Sequence, residues 1–420
     1  MLCRIATGRL AISIRLLAGM AFVGLIGCPE QDRASQTAVT SPITDAVIEG
    51  HQARLLDLAF EAVSRMPKNP HLKNRSRAQE DVVVTCLQMG LPARAERYAK
   101  QIDNWRRGTA TADIAHFFAL HGDPAAAEMC LIRASEVIAS LPRDESSQEW
   151  RRDRVRARIA RTYHQIGMPQ KAVAFERGLV NSEGLALASE KSRQVADQDF
   201  DPHLESLDGA IATGDFEQVL AALNACVNLH DRYYRDDARR EILETRVKTA
   251  YEKLPVKARI DLVLSLADTA IRHADQDHAT DLVAHARTLF ADREWLPEDQ
   301  VRMVASFAMV LLRAGDETGA RSEAAEAHRR YEAMRNRIVD IYRASALRPV
   351  AEAYQSLGDG ARAQAIYAQA IEEGVHNPNS RPRAEDLSAT CCSMAAHGFH
   401  PDAELLARIN EVFEGLSHPW

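Results

Sequence analysis

His278, Asp281 and His285 stand at i, i+3 and i+7, with His273 and Asp277 close by. On a helix that spacing places three side chains on one face, and two imidazoles with a carboxylate form a zinc-type donor set able to support a metal-dependent hydrolase. Ala279, Val283 and Ala286 define a packing face on the same segment, so exposed His and Asp on the opposite side also read as ordinary helix surface. Cys391-Cys392 has the residue types of a redox pair. Neighbouring side chains on a helix point about 100° apart, however, and could bridge only with strain. The densest basic run holds Arg151, Arg152, Arg154, Arg156, Arg158 and Arg161. Guanidinium forks match carboxylates, so this run could grip an acidic ligand or pair with nearby Glu149 and Asp153. The sequence has no GxSxG, HExxH, P-loop or post-strand GxGxxG, and it reads as non-catalytic with no cofactor.

The elements that position these residues are helices. Hydrophobic residues make up 46% and charged residues 26%, proportions of a folded chain. Aromatics are only 6%. Ala, Leu, Arg and Glu are plentiful and no long alternating Val/Ile/Thr runs occur, a pattern of helices packed through small side chains. The formal charge of −7 counts against general nucleic-acid binding. None of the seven cysteines forms a CxxC. Cys3 and Cys28 lie in or beside the leader; the other five, Cys86, Cys130, Cys226, Cys391 and Cys392, read as small buried residues, with a disulfide left open in an oxidising compartment.

One pattern recurs along most of the chain. Its zero positions are Gly90, Gly122, Gly167, Gly214, Ala274, Gly315, Gly358 and Gly398. Five residues later stand Ala95, Ala127, Ala172, Val219, Ala279, Ala320, Ala363 and Ala403. Seven residues earlier stand Val83, Ala115, Ala160, Leu207, Ala267, Ala308, Ala351 and Cys391. Small residues on both helices of a hairpin allow close approach, and glycine accepts the backbone angles that end the first helix. Asp123, Asp215, Asp316 and Asp359 then suit capping of the second helix. No single hairpin can bury its apolar face, so the pattern predicts an all-α solenoid of about eight antiparallel helix pairs.

The pattern resembles the tetratricopeptide (TPR) repeat over residues 75–415, although its spacing is irregular where that family holds to about 34 residues. The longest gap, Gly214 to Ala274, has room for an extra helix over Arg232–Lys253. The reading places an N-terminal array at 44–180, an irregular connection at 181–204 and a C-terminal array at 205–420, with two lobes as one outcome. In TPR-like arrays the first helix of each pair lines a concave groove. The resemblance therefore implies groove candidates at Arg154, Arg161, His164, Gln165, Arg302, Arg313 and Arg348. A protein or peptide partner with an acidic or C-terminal carboxylate segment suits such a groove. The family's asparagine-and-lysine carboxylate clamp is not matched, so chaperone-tail recognition is not implied.

The N-terminus bears arginines and then a twelve-residue apolar run, Leu16 to Gly27. That is short of the roughly 20 residues a spanning helix needs and suits a signal peptide over 1–27. Leu25-Ile26-Gly27-Cys28 resembles the lipobox of bacterial lipoproteins, which implies lipid attachment at Cys28 and a bacterial envelope location, facing the periplasm or exterior. Residues 28–43 read as a flexible tether. The leading expectation is a membrane-tethered, non-catalytic scaffold for protein–protein interaction. Alternatives are an envelope assembly or transport accessory that binds glycan or unfolded outer-membrane protein, the metal-dependent hydrolase above, and a cytoplasmic regulator if the leader is not a signal.

Overall fold

Every one of the eight zero positions lies in the left-handed region, from Ala274 at φ 61° to Gly315 at φ 89°. In seven of the eight turns the next residue's N–H reaches back to the carbonyl four before zero, as Asp359 does to Tyr354 (2.9 Å) and Leu91 to Cys86 (2.9 Å). This is the Schellman arrangement that satisfies the last carbonyls of a helix. The predicted caps form as well. Asp123, Asp215, Asp316 and Asp359 accept from the backbone N–H three residues on, at 2.9, 3.0, 2.8 and 3.2 Å. Asp275 and Asp402 do the same.

The computed structural model describes residues 43–141 and 149–420. The leader, Cys28 and nearly all of the tether lie outside the described residues. Within them are nineteen α-helices and no strand. In chain order they are α1 Gly50–Ser64, α2 Lys68–Gln88, α3 Pro92–Ala99, α4 Arg106–Leu120, α5 Pro124–Ser140 and α6 Glu149–Gln165. Then come α7 Pro169–Glu176, α8 Asn181–Lys191, α9 Phe200–Ala212, α10 Phe216–Arg232, α11 Asp237–Ala250, α12 Val256–Arg272 and α13 Gln276–Ala291. The chain ends with α14 Pro297–Arg313, α15 Glu317–Met334, α16 Asp340–Ser356, α17 Gly360–Val375, α18 Ser380–Ala396 and α19 Ala403–Glu414. None of them is long and apolar enough to cross a membrane.

The array is an all-α solenoid that bends until its ends meet. Helices α2, α4, α6, α8, α10, α12, α14, α16 and α18 each pack on the next, and α18 packs back on α2. The seam is completed by α1, which lies along α18 as the second helix of a hairpin would. Leu55, Leu56, Ala59, Ala62 and Val63 of α1 are fully buried there. Each Leu or Val so buried contributes roughly 1.5–3 kcal/mol. Polar contacts follow the same seam: Gln52 Nε2 donates to Ala395 O (2.8 Å), and Asn74 and Arg77 of α2 both donate to Glu385 of α18 (3.0 Å each).

This closure corrects one expectation of the repeat pattern. The small residue five past zero is fully buried in seven hairpins, from Ala95 to Ala363, yet Ala403 is exposed. The place against α18 is taken by α1, so α19 packs only lightly on α17 and α18 and buries just Leu405, Ile409 and Phe413. The second departure is at α10. With Val219 five past Gly214 it is the second helix of its hairpin, yet α8, α9, α11 and α12 all contact it, and His230 joins its apolar residues in being buried. The extra helix expected over Arg232–Lys253 is α11 with a following 3-10 turn, Tyr251–Lys253. Residues 181–204 hold α8, two 3-10 turns and the start of α9. Most buried hydrophobic residues between Leu55 and Leu416 form one contiguous cluster, with Tyr234, Ala270, Ala279 and Ala314 in a small second one.

Candidate functional site

Ring closure leaves a half-open cavity of about 1110 Å³, walled by α2, α4, α6, α8, α16 and α18. Its α18 wall is lined with small side chains, Ser388, Ala389, Cys392, Ser393 and Ala396, which leave the space open. Charge is dense but mostly matched. Arg77 and Arg381 share Glu385 at 3.0 and 3.4 Å, and Arg348 meets Asp386 at 3.2 Å. Behind the α4–α6 wall, buried Glu80 receives both Arg106 and Arg158, and accepts from the Thr109 hydroxyl at 2.5 Å. Burial works against the charge of Arg158, but the Asp113 and Glu80 carboxylates outweigh it and its pKa rises. Burial pushes the Asp386 carboxyl above the usual range despite Arg348. An arginine-rich wall thus becomes an alternation of both signs, because each guanidinium taken from water needs a carboxylate beside it.

The groove candidates divide accordingly. Arg154 and Arg348 line the cavity, whereas Arg161, His164, Gln165, Arg302 and Arg313 do not. Arg161 lies 3.3 Å from Asp113, and His164 pairs with Glu176. Arg313 is held by Asp268 of α12 at 2.6 Å. Gln165 is exposed at the end of α6. Arg302 contacts Ser345 and lies 5.8 Å from the Tyr342 ring centroid; burial lowers its pKa and nearby Arg348 adds to the effect. The lining residues missed by sequence reasoning, Arg77 and Asp81 on α2 and Glu385 on α18, gather only because opposite ends of the chain meet. No local spacing signals that meeting.

The metal candidates are not brought together. His278 Nε2 lies 2.9 Å from Glu244, His285 Nε2 lies 2.7 Å from the Tyr251 hydroxyl, and Asp281 is exposed. Each histidine finds its own partner outside α13, so the shared face predicted by the spacing does not become a shared site. Among the described residues no group of three His, Cys, Asp or Glu is placed to hold a metal ion. Cys86, Cys130, Cys226, Cys391 and Cys392 are free and buried. Burial pushes the Cys130, Cys226 and Cys392 thiols up to about 12, which keeps them protonated and unreactive at neutral pH.

A family model described as "Domain of unknown function (DUF8586)" matches residues 158–418. The chain belongs to the DUF8586 family. That match starts within α6 and ends past α19, so α1 to α5, including the helix that closes the ring, precede the DUF8586 region. No curated protein matches the chain. A solved circular tandem repeat protein with novel repeat topology is similar at 15% identity, covering 87% of this chain and 94% of its own, with a TM-score of 0.27. The closed ring of this DUF8586 member rests on its own contacts.

Proposed function

We propose that this protein is a non-catalytic interaction scaffold that holds a protein or peptide partner inside its ring, and that a lipid on Cys28 tethers it to a membrane of the bacterial envelope. The carrying observation is the cavity of about 1110 Å³, walled by six helices and lined by paired charges above a floor of small residues. Such a wall supports recognition by charge placement rather than by reaction, since its Cys392 thiol is buried and its Ser393 hydroxyl donates to Glu352 at 2.7 Å. The tether rests on the Leu25-to-Cys28 motif and the polar stretch after it.

Photo-crosslinking tests the binding surface. A crosslinker at Ala389, inside the ring, is expected to trap the same discrete partner in intact envelopes on each repetition, while one at Met129, exposed on α5, is not. Equal trapping from both positions would place the binding surface elsewhere. Ala389→Trp, which puts a bulky side chain on the small-residue wall beside Ser388, is expected to abolish the adduct from a crosslinker at Ser388. Fractionation and intact mass of wild type against Cys28→Ala test the tether, since an unchanged mass and membrane fraction in the variant would remove the lipid from the proposal.

A further inference from the structure

Arg154 differs from its neighbours in the cavity wall. Its Nε donates to Glu183 at 2.8 Å, and its guanidinium carbon lies 5.5 Å from the centroid of the Trp150 ring. Neither Nη atom has a hydrogen-bond partner among the described residues, and the side chain is 42% exposed. Glu183 and Trp150 therefore fix the orientation of the fork while its two-nitrogen end stays open to the cavity. That end has the geometry for a bidentate carboxylate.

The same cavity carries an apolar feature. Ile341 and Tyr342, in the first turn of α16, line it and remain 41% and 40% exposed. An apolar group on a ligand could bury both. The remaining wall carries both signs, with Asp81, Glu352, Glu385 and Asp386 beside Arg77, Arg348 and Arg381. A single carboxylate is accommodated at Arg154, and the matched pairs along α2 and α18 offer a polyanion no further excess of positive charge.

We propose that Arg154 and the Ile341–Tyr342 pair form a subsite for a monocarboxylate carried next to an apolar side chain, as in an acidic or C-terminal segment of a peptide. This rests on the cavity being the binding surface and names the chemistry it selects. The carboxylate sits end-on across the two Nη atoms, and the apolar group packs on Tyr342.

The test uses the whole folded protein and three small probes: N-acetyl-phenylalanine, N-acetyl-phenylalaninamide, and N-acetyl-aspartyl-phenylalaninamide, with binding followed by NMR titration. At least one of the two acids is expected to saturate and to bind at least tenfold more tightly than the neutral amide. The better acid identifies the source, a chain terminus or a side chain. Arg154→Gln is expected to weaken that acid about tenfold, or about 1.4 kcal/mol. Glu183→Gln, which removes the competing carboxylate and keeps the guanidinium, is expected to bind it at least as tightly. Equal binding of the neutral amide, unchanged affinity in Arg154→Gln, or equal losses in both variants would overturn the subsite. Crosslinking from position 389 could still succeed in that case, which separates failure of the subsite from failure of the scaffold reading.

Discussion

His51 at the start of α1 stacks on His400, just beyond α18, with ring centroids 4.4 Å apart and planes inclined by 18°. Residues from the two ends of the helical array thus form one face-to-face contact. On the outer side of the same seam, the Arg65 guanidinium lies 3.6 Å over the Phe413 ring and 3.2 Å from Glu414. Closure is a packed interface, with α1 supplying the second helix that α18 lacks.

The first prediction follows from that packing. Leu56 of α1, the helix that packs on α18, is fully buried. Leu56→Ala is expected to destabilise the protein by about 2–5 kcal/mol, the range for a core leucine. Urea denaturation measures it, and a loss below about 1 kcal/mol would mean that α1 is only loosely held.

The displaced role of α19 gives a paired test. Ala363, fully buried between α16 and α17, is expected to cost about 1–3 kcal/mol when enlarged to leucine, because two close helices must separate. Ala403→Leu alters the equivalent repeat position, but that position is exposed, so a change within about 0.5 kcal/mol is expected. Similar losses at both sites would show that α19, not α1, occupies the second-helix position against α18.

Ala274 is the only non-glycine with positive φ among the described residues, at 61°. A Cβ in that conformation costs roughly 1–2 kcal/mol, part of which is offset by the greater freedom glycine has when unfolded. Ala274→Gly is therefore expected to raise the thermal midpoint. The converse, Gly358→Ala at φ 76°, is expected to lower it; no atom lies within 4 Å of the added Cβ, so the effect would be conformational. Scanning calorimetry of both variants decides, and a fall in midpoint for Ala274→Gly would refute the strain.

Two histidines are expected to bend the pH profile in opposite directions. Burial, reinforced by the nearby charges of Arg161 and Arg193, lowers the His116 pKa from 6.5 to about 3. The unfolded chain therefore binds a proton first, and stability present above pH 6.5 is lost as pH falls toward 3. His116→Gln is expected to flatten that acid limb. The Glu244 carboxylate raises the His278 pKa above 6.5, against opposing burial. Its contribution is full below 6.5 and disappears as pH rises through the raised value. Denaturation midpoints of wild type, His116→Gln and His278→Gln between pH 4 and 9 test both signs, and parallel curves for all three would contradict them.

The helices, their turns and most of their pairings were legible in the residues because each is set by contacts within one hairpin. A glycine five residues before an alanine ends one helix and admits the next, and Asp359 caps α17 whatever lies elsewhere. Even Ala274, with no glycine to mark it, was found at the zero position by its place in the pattern. The candidate site was legible only in part. Arg154 and Arg348 could be placed on inner faces by their offsets, but their carboxylate partners, Glu183 and Asp386, lie on neighbouring helices whose register depends on the packing between hairpins. The meeting of α1 and α2 with α18 depends on the curvature accumulated over the whole array. Each hairpin adds a small rotation, and only their sum determines whether the ends meet. Local residue types determined a helical repeat; the tertiary structure decided that it closes, which helix completes the seam, and which charges face one another across the cavity.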